Sequence, residues 1–576
     1  MPGVLFVIIS NVFAVIPAQV IRIAFDLVNE NIAVYRLFND FKRREIFDEI
    51  FGQSLLLFGA IVLLLALLRG VFLFFMRQTI ILMSRHIEYD LKNEIYNHYQ
   101  KLSLAFYRRN NTGDLMNRVT EDVSRVRMYL GPAIMYTINT VVLFILIVGF
   151  MVNVNPRLAV YALLPLPFLA ITIYFVNTMI NNRSEKIQEQ LSELSNFVQE
   201  TFSGIRVIKA YVREADVREK FDAESENYKA HSMALVQVQS LFFPTILILV
   251  GLSTIITVYI GGTEVINGTI TLGNIAEFIV YVNLLTFPVM SLGWVTSLIQ
   301  RAAASQKRIN EFLNTQPEII SLSSEQFEVK GGIKFKNVSF TYPDTGIQAI
   351  KNISLDVKAG EFLAIIGRTG SGKSTLANLL MRMYDVDSGY IFIDNRPLNS
   401  LDLGSFRHQV GFVPQEVFLF SDTIRNNISF GISDPDNLSI ENAAKNASVY
   451  SNIMEFEYGF ETMIGERGIT LSGGQKQRLS IARAIIKEPQ ILIFDDCLSA
   501  VDTRTEEQIL NNLSRFMLGK TSILISHRVS TIKNADKILV MEAGEVVEQG
   551  NHETLMNLKG IYFDLYEKQL LEEQIV

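Results

Sequence analysis

Six long apolar runs, all before residue 300, constrain this chain more than any other feature. They are roughly Gly3–Ala24, Gln53–Met76, Pro132–Val154, Leu158–Ile180, Leu241–Gly262 and Asn274–Ile299. A bilayer core about 30 Å thick takes about 20 residues of helix to cross, and each run is that long. Backbone polar groups in lipid must be satisfied within the segment, so the runs are expected to be helices. The third and fourth are joined by a short turn at Asn155-Pro156-Arg157, and the fifth and sixth by the Gly/Thr-rich stretch Gly261–Gly273.

Basic residues orient the bundle. The connection 77–131 carries nine Lys/Arg and 181–240 carries eight; the others carry four, one and none. The positive-inside rule places the two long connections, and with them both chain ends, in the cytoplasm. Ile187, Leu191, Leu194 and Val198 recur there at helical spacing, so the membrane helices are expected to continue as cytoplasmic extensions. The first run lacks a basic n-region and a cleavage site and is read as a membrane helix, not a signal peptide. Because the chain starts almost inside it, a preceding cytosolic segment is expected to be missing or the start assigned late.

Composition changes after Asn310. The expected division is a transmembrane domain over 1–310, a polar linker containing Pro317 over 311–330, and a soluble α/β domain over 331–576. Two short apolar runs, Phe362–Ile366 and Ile491–Phe494, read as buried parallel strands. The net charge of −7 argues against a nucleic-acid partner. The single cysteine, Cys497, rules out an internal disulfide or a CxxC metal pair.

Three segments of the soluble half carry chemistry. Gly367-Arg368-Thr369-Gly370-Ser371-Gly372-Lys373-Ser374 fits GxxxxGK[ST], after a strand and before the helical Thr375–Tyr384. Its glycines let backbone N–H groups face phosphate oxygens at a helix N-terminus. Lys373 is expected to reach the β/γ-phosphates and Ser374 to ligate Mg²⁺. Asp495 ends an apolar strand, where a carboxylate can hold Mg²⁺. Leu471-Ser472-Gly473-Gly474-Gln475 offers a second cradle of hydroxyl and backbone donors before a helix.

With these residues in order, the chain resembles one half of an ATP-binding-cassette exporter over essentially its whole length. The resemblance implies a six-helix α-helical transmembrane domain with long cytoplasmic extensions, fused to an α/β P-loop nucleotide-binding domain that uses ATP and Mg²⁺. It makes Tyr342 the aromatic against adenine and adds Thr375 to the phosphate-side residues. Gln415 becomes the Q-loop glutamine, a metal ligand and catalytic, and His527 the switch histidine. Gly465–Gly468 matches the segment before the signature and Ser499–Asp502 the D-loop. The family pairs two nucleotide domains head to tail, with ATP between the phosphate loop of one and LSGGQ of the other, so a dimer is implied. Gly113–Val119 and Thr201–Tyr211 would be the coupling helices.

One position departs from the family. Where a catalytic glutamate follows the Mg²⁺-binding aspartate, this chain has Asp496. It keeps the charge and loses one methylene of reach, and a misplacement of about 1 Å can cost about a hundredfold in rate. Intact LSGGQ beside a shortened carboxylate favours the degenerate half of a heterodimer, with a homodimer of slow sites as the alternative. The expected activity is ATP-driven export of a hydrophobic or amphiphilic substrate, such as a drug or lipid, across the cytoplasmic membrane. The alternatives are an exporter-fold importer, for example of siderophores, or a regulatory membrane ATPase. Ionisable groups in apolar runs mark candidate pathways: Arg69 first, then Arg22 and Arg77, which are expected to snorkel to the interface, with Asn11 and Gln19 as milder polar sites.

Overall fold

The computed structural model describes residues 2–575, except 38–40, 322, 466–467, 469–470 and 499–502. It resolves into two compact units, Met1–Tyr99 with Gly113–Thr315, and Gln100–Thr112 with Gln316–Val576.

The first unit contains the six apolar runs as helices much longer than a bilayer: Pro2–Asn31, Glu49–Lys101, Thr112–Val154, Pro156–Ser203, Glu214–Ile266 and Leu272–Leu313. The 53 residues of the second helix extend about 80 Å at 1.5 Å per residue, so the expected helical extensions are present. Prolines accompany two of the irregularities. Backbone turns widen to i→i+5 over Tyr129–Ala133, which contains Pro132, and the fourth helix breaks at Leu164 before Pro165. Asn155 caps the helix starting at Pro156 by accepting from the Leu158 amide at 2.9 Å. The interior is apolar, with Val15, Ile147, Leu158, Phe278, Tyr281 and Leu285 fully buried together. Gly273 lets the first and sixth helices approach, since a Cβ there would lie 2.4 Å from the Arg22 carbonyl.

Charge in this unit departs from the sequence reading. Arg22 does not simply snorkel: its guanidinium pairs with Glu277 at 3.2 Å, and the Glu277 side chain is wholly buried. Tyr281 and Asn274 also donate to Glu277, at 2.8 and 3.3 Å. A second buried acid, Glu264, accepts from Arg157, Asn155 and Thr269. A buried carboxylate needs this number of donors to offset its lost hydration. Asn11 Nδ2 and Arg69 Nε are buried without a hydrogen-bond partner among the described residues.

The second unit is built on two sheets. Its strands are β1 (Ile333–Thr341), β2 (Gln348–Val357), β3 (Phe362–Gly367), β4 (Ser388–Ile393), β5 (Arg396–Pro397), β6 (Val410–Val413), β7 (Ile491–Asp495), β8 (Thr521–Ile525), β9 (Lys537–Glu542) and β10 (Glu545–Gly550). The order is β2-β1-β4-β5 in one sheet and β10-β9-β3-β8-β7-β6 in the other. The first sheet is antiparallel, and β1 alternates buried and exposed residues along part of its length. Strands β9, β3, β8, β7 and β6 run parallel. The central β7 is buried at all five positions, which is why it reads as an unbroken apolar run. The stretch expected as a polar linker is partly anchored: the Val329 amide donates to Gln409 Oε1 at 2.8 Å.

Gln100–Thr112 folds with the nucleotide unit, and Gly113–Val119, the first expected coupling segment, belongs to the membrane unit. Ala105 is 2% exposed and belongs to the core around β1, β2 and β3. The other expected coupling segment contains a helix, Ile205–Ala210, with no buried residue.

Candidate functional site

Parallel strands place their carboxyl ends on one edge of a sheet, where ligands of open α/β sheets bind. Four adjacent strands here each deliver a chemical group to that edge. β3 runs into the glycine loop and the helix Lys373–Leu380. β7 ends in Asp495, followed by Asp496; β8 is followed by His527, and β6 by Gln415. These groups line one cavity of about 430 Å³ together with Tyr342, Thr369, Gly370, Gly372, Ser374 and Thr375. Sequence reasoning placed all of them at a nucleotide site, and the fold brings them together.

The loop suits an anion. Gly370 and Gly372 have φ of +81° and +98°, which side chains rarely adopt, and a Cβ at Gly372 would lie 2.4 Å from the Ala349 carbonyl. Among the described residues nothing hydrogen-bonds the buried Ser371 Oγ, which suits it to donate to an anionic oxygen. Lys373 is 5% exposed, and Nζ donates to the carbonyls of Gly367 and Arg368, each at 2.8 Å. Burial lowers the Lys373 ammonium below its ordinary range, while Asp496 and Asp495 oppose the shift. The cation is thus poised over the loop, held by two carbonyls that an anion can outcompete.

Ser374 Oγ donates to Asp495 Oδ1 at 2.9 Å. Burial raises the Asp495 carboxyl, and Asp496 adds to the rise; Ser374 and Lys373 oppose it. A hydroxyl and a carboxylate in contact suit Mg²⁺, which keeps several waters and takes one or two protein oxygens plus phosphates. When bound, that ion neutralises charge developing on the phosphates.

Asp496 has φ +47°, and its amide donates to the Ile525 carbonyl at 2.9 Å. Aspartate tolerates this left-handed conformation better than most residues. Burial lowers the His527 imidazole, Lys373 lowers it further, and Asp496 partly offsets both. His527 is therefore neutral at pH 7, able to accept at one nitrogen and donate from the other. If it acts in hydrolysis, the acid limb of the ATPase pH profile should have its midpoint below the ordinary imidazole value of about 6.5. A pH–rate profile with an acid midpoint above 6.5 would contradict the burial of this ring.

Tyr342 stands at the other end of the cavity. Its hydroxyl lies 3.0 Å from Thr375 Oγ1 and its ring centroid 5.4 Å from that of Tyr384. The structure adds a residue that no sequence argument proposed: Arg108 lines the same cavity, its guanidinium carbon 5.2 Å from the Tyr342 ring centroid.

Ser472, Gly473, Gly474 and Gln475 do not line this cavity. Ser472 caps the helix Gly473–Ile485: the Gln475 amide donates to Ser472 Oγ at 3.2 Å and the Ser472 amide to Gln475 Oε1 at 2.9 Å. This is a reciprocal capping box. Ser472 and Gly473 are exposed, so the cradle faces outward. Of the remaining motifs, Ser499–Asp502 and Glu466-Arg467 lie outside the described residues.

A glycine loop with a buried lysine, a serine–aspartate pair, a glutamine and a histidine meet on one sheet edge, in a chain that also carries six membrane-length helices; together they define a membrane protein with an ATP-hydrolysing domain. Residues 3–289 match the family model of the ABC transporter transmembrane region and residues 350–499 that of the ABC transporter. The chain is 37% identical to the multidrug resistance-like ATP-binding protein MdlA of Escherichia coli (strain K12), over 85% of this chain and 83% of that protein. It is 34% identical to an ATP-dependent lipid A-core flippase of Syntrophus aciditrophicus (strain SB), over 89% of this chain and 86% of that one. A solved structure of a bacterial Atm1-family ABC exporter with ATP bound is similar at a TM-score of 0.77 and 27% identity, covering 99% of this chain and 98% of that chain. The chain belongs to the ABC transporters and has the fold of the exporters among them.

Proposed function

We propose that this chain is one half of a dimeric exporter that moves a hydrophobic or amphiphilic molecule, a drug or a lipid, out across the cytoplasmic membrane. The convergence of Lys373, Ser374, Asp495, Gln415 and His527 on one cavity, with the Ser472 cradle facing outward elsewhere, carries the reading. In it, Gly367 to Thr375 hold the phosphates of ATP against Lys373, and Tyr342 supports the base. Ser374, Asp495 and Gln415 hold Mg²⁺. Asp496, His527 and Gln415 position the attacking water. Ser472 to Gln475 complete the site of a second half-transporter. Closure of the paired domains on ATP favours the outward-facing state, and hydrolysis resets it.

Unpartnered apolar surface supports a partner. In the basic connection 181–240, Phe202, Val207, Tyr211 and Val212 are 70%, 61%, 75% and 80% exposed. A heterodimer is favoured, with the second chain supplying a glutamate where this one has Asp496. On this reading hydrolysis at this chain's own site is reduced. An amphiphile is supported by a 580 Å³ cavity in the membrane unit lined by Arg77 and Arg85 together with Ile81, Leu82, Tyr136 and Trp294. Similarity to multidrug and lipid A-core relatives points the same way. The basic connections support a cytoplasmic position for both termini and the nucleotide unit.

Native mass measurement of the complex purified from its own cells tests the assembly; a species of two unlike chains is expected, and a pure homodimer overturns it. ATP-dependent accumulation of amphiphilic dyes or labelled lipid inside inverted vesicles tests direction. Movement only outward from those vesicles would make it an importer.

A further inference from the structure

Gln100–Thr112 is the one stretch between the second and third membrane helices that folds with the nucleotide unit. Several contacts anchor it. Ala105 is buried in the core; Ser103 Oγ donates to Glu318 Oε2 at 3.1 Å, and Arg109 pairs with the same carboxylate. The helix Leu104–Arg109 is therefore fixed at both ends. Its neighbouring side chain, Arg108, is exposed and reaches the cavity instead, where it lies over Tyr342.

We infer that Arg108 is a nucleobase-contacting residue, which takes the outer face of the base while Tyr342 takes the inner one. This deepens the proposed function and rests on reading the Tyr342 cavity as the ATP site. Guanidinium and tyrosine ring are now 5.2 Å apart, centre to centre. Planar groups stack at about 3.5 Å, so a base between them needs about 7 Å. Arg108 must yield about 2 Å, a distance that an exposed, flexible side chain can move while the segment behind it stays anchored. Arginine suits the place because its planar, weakly hydrated cation stacks on aromatic faces. The contact needs a base and is indifferent to the phosphates. A segment continuous with two membrane helices would thereby touch the nucleotide directly.

Equilibrium binding of ATP and of tripolyphosphate, each with Mg²⁺, to the full-length purified chain tests this. Arg108→Ala should weaken ATP about two- to five-fold, as expected for an exposed cation–π stack, and leave tripolyphosphate unchanged. Arg108→Lys, which keeps the charge and loses the plane, should fall between. Equal weakening of both ligands would make Arg108 a general attractor of anions and overturn the inference, as would unchanged ATP binding. Lys373→Ala is the separate control. It should bind neither ligand, and retained binding there would refute the site itself, not the role of Arg108.

Discussion

Ser472→Ala should cut ATP hydrolysis by the assembled dimer about a hundredfold or more, while leaving ATP binding in this chain's own cavity unchanged. The asymmetry follows from position, because Ser472 does not line that cavity and its hydroxyl faces outward at a helix N-terminus. Loss of one preorganised donor to developing negative charge costs about 10²–10³ in turnover. The substitution also removes a helix cap, worth about 1 kcal/mol. That loss is local, because the helix Gly473–Ile485 is held by buried Leu479, Ile481 and Ala482. Ser472→Asp separates the two effects. Aspartate caps as well as serine and suits a helix N-terminus, but its charge opposes a phosphate. Steady-state ATPase should be lost in both variants, with thermal stability kept in the second. Near-normal ATPase in Ser472→Asp would reduce Ser472 to a cap.

The exporter fold was legible because its physics is local. Each membrane run satisfies its own backbone, and the loop from Gly367 to Ser374 needs glycine where φ is positive. Strand β7 announced itself because burial on both faces leaves only apolar residues. The helical extensions were legible as periodicity. What was not legible depends on tertiary placement. Glu264 and Glu277 stood visibly at or within apolar runs, the signal that singled out the arginines, yet only the fold shows that Arg22 and Glu277 meet across 255 positions. Arg108 carries no signal at all. It is one of nine basic residues in its connection, and it becomes special because Ala105 is drawn into a core contributed by residues more than two hundred positions away.

Asp496→Glu should raise ATP turnover of the chain reconstituted by itself by about tenfold or more. Two effects oppose each other at this residue. The backbone is left-handed, φ +47°, and a longer side chain without aspartate's local hydrogen bonding costs about 1–2 kcal/mol there. Most of that cost falls on the folded state and is shared by ground and transition states, so it lowers stability more than rate. The added methylene acts in the transition state, where a correction of about 1 Å is worth about a hundredfold. The reach term therefore wins in turnover, and a small fall in melting temperature should accompany it. Unchanged turnover would show that alignment of this carboxylate is not limiting. Asp496→Asn distinguishes the assemblies. In a transporter paired with a chain that has its own glutamate, the substitution should leave ATPase within about twofold, because the remaining charges on Asp495 and Lys373 still order the cavity and the partner's site does the hydrolysis. A near-complete loss would assign hydrolysis to this shortened carboxylate. The chain would then be a slow engine in its own right rather than one whose outward-facing Ser472 serves another.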